Sequence, residues 1–150
     1  MGYVQTLLES NDSKTIGELI NFVASEFSLE NVGFLLAVHQ YRALCPGSAL
    51  PSIKAKTFVN HQMLWKHKML VPPSSWGGAN TIGGWIYNKY IPATAETQIN
   101  ISGSVKTALD AIGTTRSTPF IPANFDAAFN EIDNLITRDT KRRFLAAPKP

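Results

Sequence analysis

Glu26-Phe27-Ser28-Leu29-Glu30-Asn31-Val32-Gly33-Phe34-Leu35-Leu36-Ala37-Val38 is the stretch on which the fold turns. Ser28 suits an N-cap, because its hydroxyl can accept one of the orphan N–H groups of a first helical turn. Glu30 lies in that turn, where a carboxylate favours the positive end of the helix dipole. From Asn31 to about Leu44 the chain is nearly apolar. A helix without a polar face is buried on most sides, so this one reads as the central helix of a bundle. Pro46-Gly47 stops it.

Upstream, Ile16, Leu19, Ile20, Val23 and Phe27 recur at helical spacing and form one apolar stripe. Leu7 and Leu8 belong to a short opening helix that ends near Ser10-Asn11-Asp12-Ser13, a turn-rich stretch. Downstream, Ile53 to Met69 reads as a partly in-phase helix, and Val71 to Gly78 as loop. Helix returns at Trp85 to Ile91 and ends at Pro92. Ser102 can cap a helix bearing Val105, Ala108, Leu109 and Ile112. Phe125, Ala128, Phe129, Ile132, Leu135 and Ile136 make the cleanest amphipathic pattern, and Asp139 is expected to restart a last helix through Phe144 and Leu145. Period-two alternation never persists, and no segment repeats. The fold class is all-α.

At 150 residues the chain suits one domain, 1–150. Its 44% hydrophobic and 17% charged residues place it among ordinary globular domains. No apolar run approaches the ~18 residues of a membrane span, and no basic-then-apolar leader opens the chain. Cys45 is the only cysteine, so an intramolecular disulfide is impossible and a reducing, cytoplasmic setting is expected. The ends suggest a domain cut from a larger protein. A net charge of +3 is too mild to imply a nucleic-acid partner.

Three blocks, in order, resemble the regulator of G-protein signalling (RGS) family. Glu26 to Asn31 leading into Val32 to Val38 is similar to the family's E-[FY]-S-x-E-N and central helix. Ile86-Tyr87-Asn88-Lys89-Tyr90-Ile91 with Ile99-Asn100-Ile101 resembles I-Y-x-x-[FY]-I and I-N-[IL]. Phe125-Asp126-Ala127-Ala128, Ile132, Leu135 and Asp139-Thr140 to Arg143-Phe144-Leu145 resemble F-D-x-A, I-x-x-L and D-[ST]-x-x-R-F-L. The resemblance covers about two thirds of the chain. It implies a nine-helix RGS bundle with an antiparallel four-helix core. The span from Tyr41 to Tyr87 is roughly twice the family's spacing, so an enlarged loop between the central helices is expected as an insertion at about residues 46–84. Leu35 stands where tryptophan is usual, Ser102 where aspartate is frequent, Lys106 where arginine is common, and Thr140 where serine is more usual.

The implied activity is GTPase activation of a heterotrimeric G-protein α subunit (Gα) in its GTP-bound or transition-state form. The domain itself is not an enzyme. The α subunit supplies its own arginine and a water-orienting glutamine, and the RGS domain holds its switch segments as they stand in the transition state. Each tenfold acceleration needs only ~1.4 kcal/mol of such differential binding. By matching position, the surface comprises Glu26, Ser28, Glu30 and Asn31; then Asn100; then Leu135, Asp139, Thr140 and Arg143. Asn100 is implied to stand against the glutamine, Asp139 to accept switch N–H groups, and Arg143 to hold Asp139 by a charge-assisted pair. No cofactor or metal is implied, and no catalytic residue.

Other readings stand beside these. Ser28 and Asp139 also suit plain N-caps, Asn31 and Asn100 could bond to turn backbone, and Arg143 could pack its stem and snorkel. His39, His61 and His67 lack a metal-site pattern and read as core or solvated side chains. Gly77-Gly78 and Gly83-Gly84 read as loop glycines with no phosphate-binding motif. Arg138, Lys141, Arg142 and Lys149 read as a solvated basic face or a weak contact for anionic membrane, which would recruit the domain to the inner face of the plasma membrane. They are too scattered for a nucleic-acid binder. A closer rival keeps the fold without the activity: an RGS-homology scaffold.

Overall fold

The computed structural model of the chain describes residues 2–45, 62–115 and 117–148, and these carry helices and no strand. The helices are α1 (Tyr3–Glu9), α2 (Ser13–Ser25), α3 (Leu29–Leu44), α4 (Gln62–Lys66), α5 (Ala79–Tyr90), α6 (Gly103–Thr115), α7 (Asp126–Leu135) and α8 (Lys141–Ala146). Short 3-10 turns lie at Pro73–Ser75 and Pro122–Phe125.

As its apolar run dictates, α3 is the axis of the molecule, and every residue from Val32 to Arg42 is buried. It packs on α5 and α7, while α6 touches both, so α3, α5, α6 and α7 close a ring of four. Phe34, at 5.4 Å from Tyr90 and 6.3 Å from Phe125 between ring centroids, fills the ring's centre edge-on. Phe120 stacks on Phe125 at 5.5 Å. Such pairs add about 0.5–1.5 kcal/mol beyond the area they bury.

The first helix is tied to the last ones. Asp133 of α7 accepts the N–H groups of Val4 (2.7 Å) and Gln5 (2.8 Å), and Thr137 Oγ1 accepts that of Tyr3 (2.8 Å). These are orphan donors of α1, satisfied from across the fold. Gly2 makes this possible, because a Cβ there would overlap the Asp133 carboxylate. Burial raises the Asp133 pKa, outweighing the N–H bonds that lower it. The Tyr3 ring lies 6.5 Å from that of Phe144 in α8.

The expected helix over 53–69 falls partly outside the described residues; within them it is confined to α4, which Lys68 ends in a left-handed conformation (φ 56°). The following segment is packed down. Gln40 of α3 donates to the Val71 carbonyl (3.0 Å) and accepts its N–H (2.9 Å), so a side-chain amide pairs with backbone as a strand would. Trp76 donates to the same carbonyl at 3.0 Å, and the Tyr90 hydroxyl donates to the Met69 carbonyl at 2.6 Å.

Three expectations change. Helix α5 begins at Ala79, before Trp85, and Gly83 and Gly84 lie inside it. Glycine lowers helix propensity, but a Cβ on Gly83 would overlap Phe120, so the position needs its absence. Asp139 does not restart a helix: α7 runs through a π-helical turn (Ile136–Thr140) into α8, with Leu135, Ile136, Thr140 and Lys141 all in right-handed helical dihedrals. Ser102 stands at the start of α6, where its carbonyl accepts the Lys106 N–H at 3.0 Å, but among the described residues its hydroxyl bonds to Glu131 and Ser104 and to no N–H of that first turn.

Candidate functional site

The first segment is the α2–α3 connection, which is only three residues long. Helix α2 ends in a Schellman motif: Ser28 N–H donates to the Val23 carbonyl (2.9 Å) and Phe27 N–H to that of Ala24 (3.2 Å). Phe27 therefore takes φ 57°, a region that favours glycine. Its ring points away from the core and is 94% exposed. Ser28 stands at the α3 N-cap but makes no side-chain cap there. Its hydroxyl lies 3.4 Å from the Val23 carbonyl, because ending α2 occupies the residue that was expected to start α3. Glu30 and Asn31 follow in the first turn of α3, both half-buried.

The second segment joins α5 to α6. Ile99 is buried and donates its N–H to the Tyr90 carbonyl at 2.9 Å. Ser102 donates N–H and Oγ–H to the two oxygens of Glu131, each at 2.7 Å. Asn100 lies between these anchors, exposed, and makes no side-chain hydrogen bond among the described residues. It lines an open cleft of ≈ 610 Å³ with Glu131, Asn134, Leu135, Thr137 and Arg138.

The third segment is the rod from α7 to α8. Ile136, Thr140 and Phe144 face the core, which turns Asp139 and Arg143 outward. Arg143 grips Glu26 with two N–H groups, Nε and Nη2, at 3.1 Å each, and Asp139 with Nη1 at 2.8 Å. These bonds to carboxylates raise the guanidinium's pKa further. A bidentate arginine–carboxylate pair fixes direction as well as distance.

The structure thus brings Glu26, Asp139 and Arg143 into one cluster, and Asn100 and Leu135 into one cleft, along a single rod. Thr140 is placed apart from them, buried at 9% exposure. Two residues outside the sequence-derived set belong to this face. Phe27 was expected in the apolar stripe of α2, but that helix ends at Ser25 and the left-handed turn, which leaves no mark in the residue pattern, takes the ring away from the core. Glu131 falls between the matched positions, and its partner Ser102 is too distant along the chain for spacing to link them.

Besides Phe27 and Leu135, the side chains of this face are hydrogen-bonding and ionic groups. Among the described residues no group of three or more His, Cys, Asp or Glu is placed to hold a metal ion. His39 is buried, and desolvation with the charge of Arg42 lowers its pKa to about 3, which keeps it neutral. Burial pushes the Cys45 thiol up. His61 lies outside the described residues, and His67 is exposed. Arg138 and Arg142 are exposed, while Lys141 stands 4.9 Å from the centre of the Tyr3 ring. No described helix is long and apolar enough to cross a membrane.

Compared with known families, the chain matches the model of the regulator of G protein signaling domain over residues 4–149. No curated protein matches it.

Proposed function

The chain belongs to the regulator of G-protein signalling family, and from that premise we propose that it accelerates GTP hydrolysis by a heterotrimeric G-protein α subunit. The observation that carries this reading is Arg143, which ties Glu26 of the first segment to Asp139 of the third. Two of the three polar segments are thereby held in one relative position before any partner arrives. A preorganised surface favours one conformation of a mobile partner at little ordering cost.

In this reading Glu26, Ser28, Glu30 and Asn31, with Phe27 beside them, receive one switch segment. Asp139, turned outward by the π-helical turn, accepts N–H groups of a switch loop, and Leu135 packs beneath. Thr140 acts from below, by shaping the turn that carries Asp139. Asn100 meets the glutamine that orients water. A carboxamide suits that role, since it donates and accepts without adding charge near phosphate and magnesium. Hydrolysis stays with the partner's own arginine and glutamine. The partner form bound best is the transition-state form, and the whole of residues 1–150 acts as one RGS domain.

Arg138 and Arg142 give the end of the rod a basic face, for which we propose a weak contact with the anionic inner surface of the plasma membrane. That recruitment predicts binding to vesicles containing phosphatidylserine that falls as salt rises.

The deciding experiment is single-turnover GTP hydrolysis by a panel of α subunits with and without the domain. Acceleration of at least one is expected, and Asn100→Ala should abolish most of it with unchanged helical content. No acceleration across the panel would sink the reading and leave a binding scaffold.

A further inference from the structure

Among the described residues Asn100 makes no hydrogen bond, so there its place is set by its neighbours. On one side Ile99 is fixed twice, by its buried side chain and by its N–H to the Tyr90 carbonyl. On the other side the fixing group is Glu131, whose two carboxylate oxygens each take one donor of Ser102 at 2.7 Å. Glu131 belongs to α7, the same helix that carries Leu135 one turn on and leads to Asp139 two turns on. The carboxylate therefore ties the Asn100 loop to the rod that holds the third segment.

Resting on the proposed function, we infer that Glu131 is a positioning residue, which acts through Ser102 to hold Asn100 at the height over α7 that the partner's glutamine requires. Serine is a neutral partner for this clamp. Its N–H and O–H diverge from one residue and match the two oxygens of a carboxylate, with charge-assisted bonds at both. Removing the carboxylate frees the loop on one side only, because Ile99 remains held. The loop then samples positions around the correct one rather than unfolding. Small misplacements of an orienting group are costly: ~1 Å can remove ~100-fold in rate.

Three measurements test this. In the free domain, Glu131→Ala should speed amide hydrogen exchange at Ile101, Ser102 and Gly103 while leaving the interiors of α5 and α7 protected. In single-turnover hydrolysis at saturating domain, Glu131→Ala should lose about tenfold of the acceleration, whereas Glu131→Gln should retain it, since the amide oxygen still accepts the Ser102 N–H and its NH₂ can donate to the hydroxyl. In the Asn100→Ala background, Glu131→Ala should cost nothing further, because its route to the reaction is already cut. An equal loss in both backgrounds overturns the inference, as does unchanged exchange at Ser102. If exchange behaves as expected but the parent accelerates no α subunit, the functional reading is overturned, and the positioning role with it.

Discussion

Phe27 holds a backbone conformation that suits glycine and leaves an aromatic ring in solvent. A left-handed residue with a Cβ costs roughly 1–2 kcal/mol, and the exposed ring recovers nothing in the free protein. In the proposed function the ring is a contact for the α subunit. Phe27→Gly should therefore raise stability by about 0.5–1 kcal/mol, once the extra unfolded-state freedom of glycine is subtracted, and should weaken binding to the α subunit. A urea midpoint and a dissociation constant for the GDP–aluminium fluoride form of the partner check the two halves separately. A lower midpoint would show that the ring packs. At this scale the sequence was informative about residue type and silent about geometry. The Arg143–Asp139 pair was legible because i, i+4 spacing brings two residues together on any helix. Glu26 as Arg143's second partner was not, since the two lie 117 positions apart.

Helix α5 shows how packing overrides propensity. Gly83 and Gly84 disfavour a helix, yet the helix forms because Gly83 admits Phe120 against its backbone. Gly83→Ala should gain ~1 kcal/mol in propensity and lose more to overlap, since the atom it meets is Phe120 Cβ, close to a backbone and unable to swing away. A net destabilisation of about 1–3 kcal/mol is expected by thermal or urea unfolding; a stabilised variant would refute the packing argument. The same helix is joined to α6 by the Tyr87 hydroxyl, which donates to Asp110 at 2.7 Å, and Lys106 completes the group at 2.8 Å. Burial first, then the Asp110 bond and charge, raise Tyr87 from 10.0 to about 12. A raised tyrosine favours folding fully below pH 10 and loses that share as pH climbs through 12. Tyr87→Phe should flatten that part of the fall in stability, measured by unfolding at pH 9 and 11.5. Helices with a polar face or an apolar run were legible from pattern; α5's early start and the π-helical turn were not, because both depend on contacts that the local sequence does not encode.

The molecule as a whole is held together by buried polarity as well as by its aromatic centre. Arg42 of α3, almost wholly buried, pairs with Asp126 at 3.0 Å and lies 4.3 Å from the centre of the Phe129 ring. Burial lowers the Arg42 pKa, with Asp126 opposing that shift. Asp126→Ala leaves a buried cation without its counter-ion, a change that costs about 3–5 kcal/mol, and should lower the urea midpoint steeply. Replacing both partners with apolar residues should recover much of the loss, and a single variant as stable as the parent would overturn the argument. A central α3 was readable from its apolar run and the all-α class from helical spacing along the whole chain; the cross-fold ties at Arg42, Gln40 and Asp133 were not, because polar residues choose partners by position in space. One of these ties reaches further. With α1 hooked to Asp133 and Tyr3 beside Phe144, the chain enters and leaves its fold at nearly the same spot. A body whose two leads emerge together can be spliced into a surface loop of another protein without prying that host apart, or re-opened elsewhere and joined there by a short bridge.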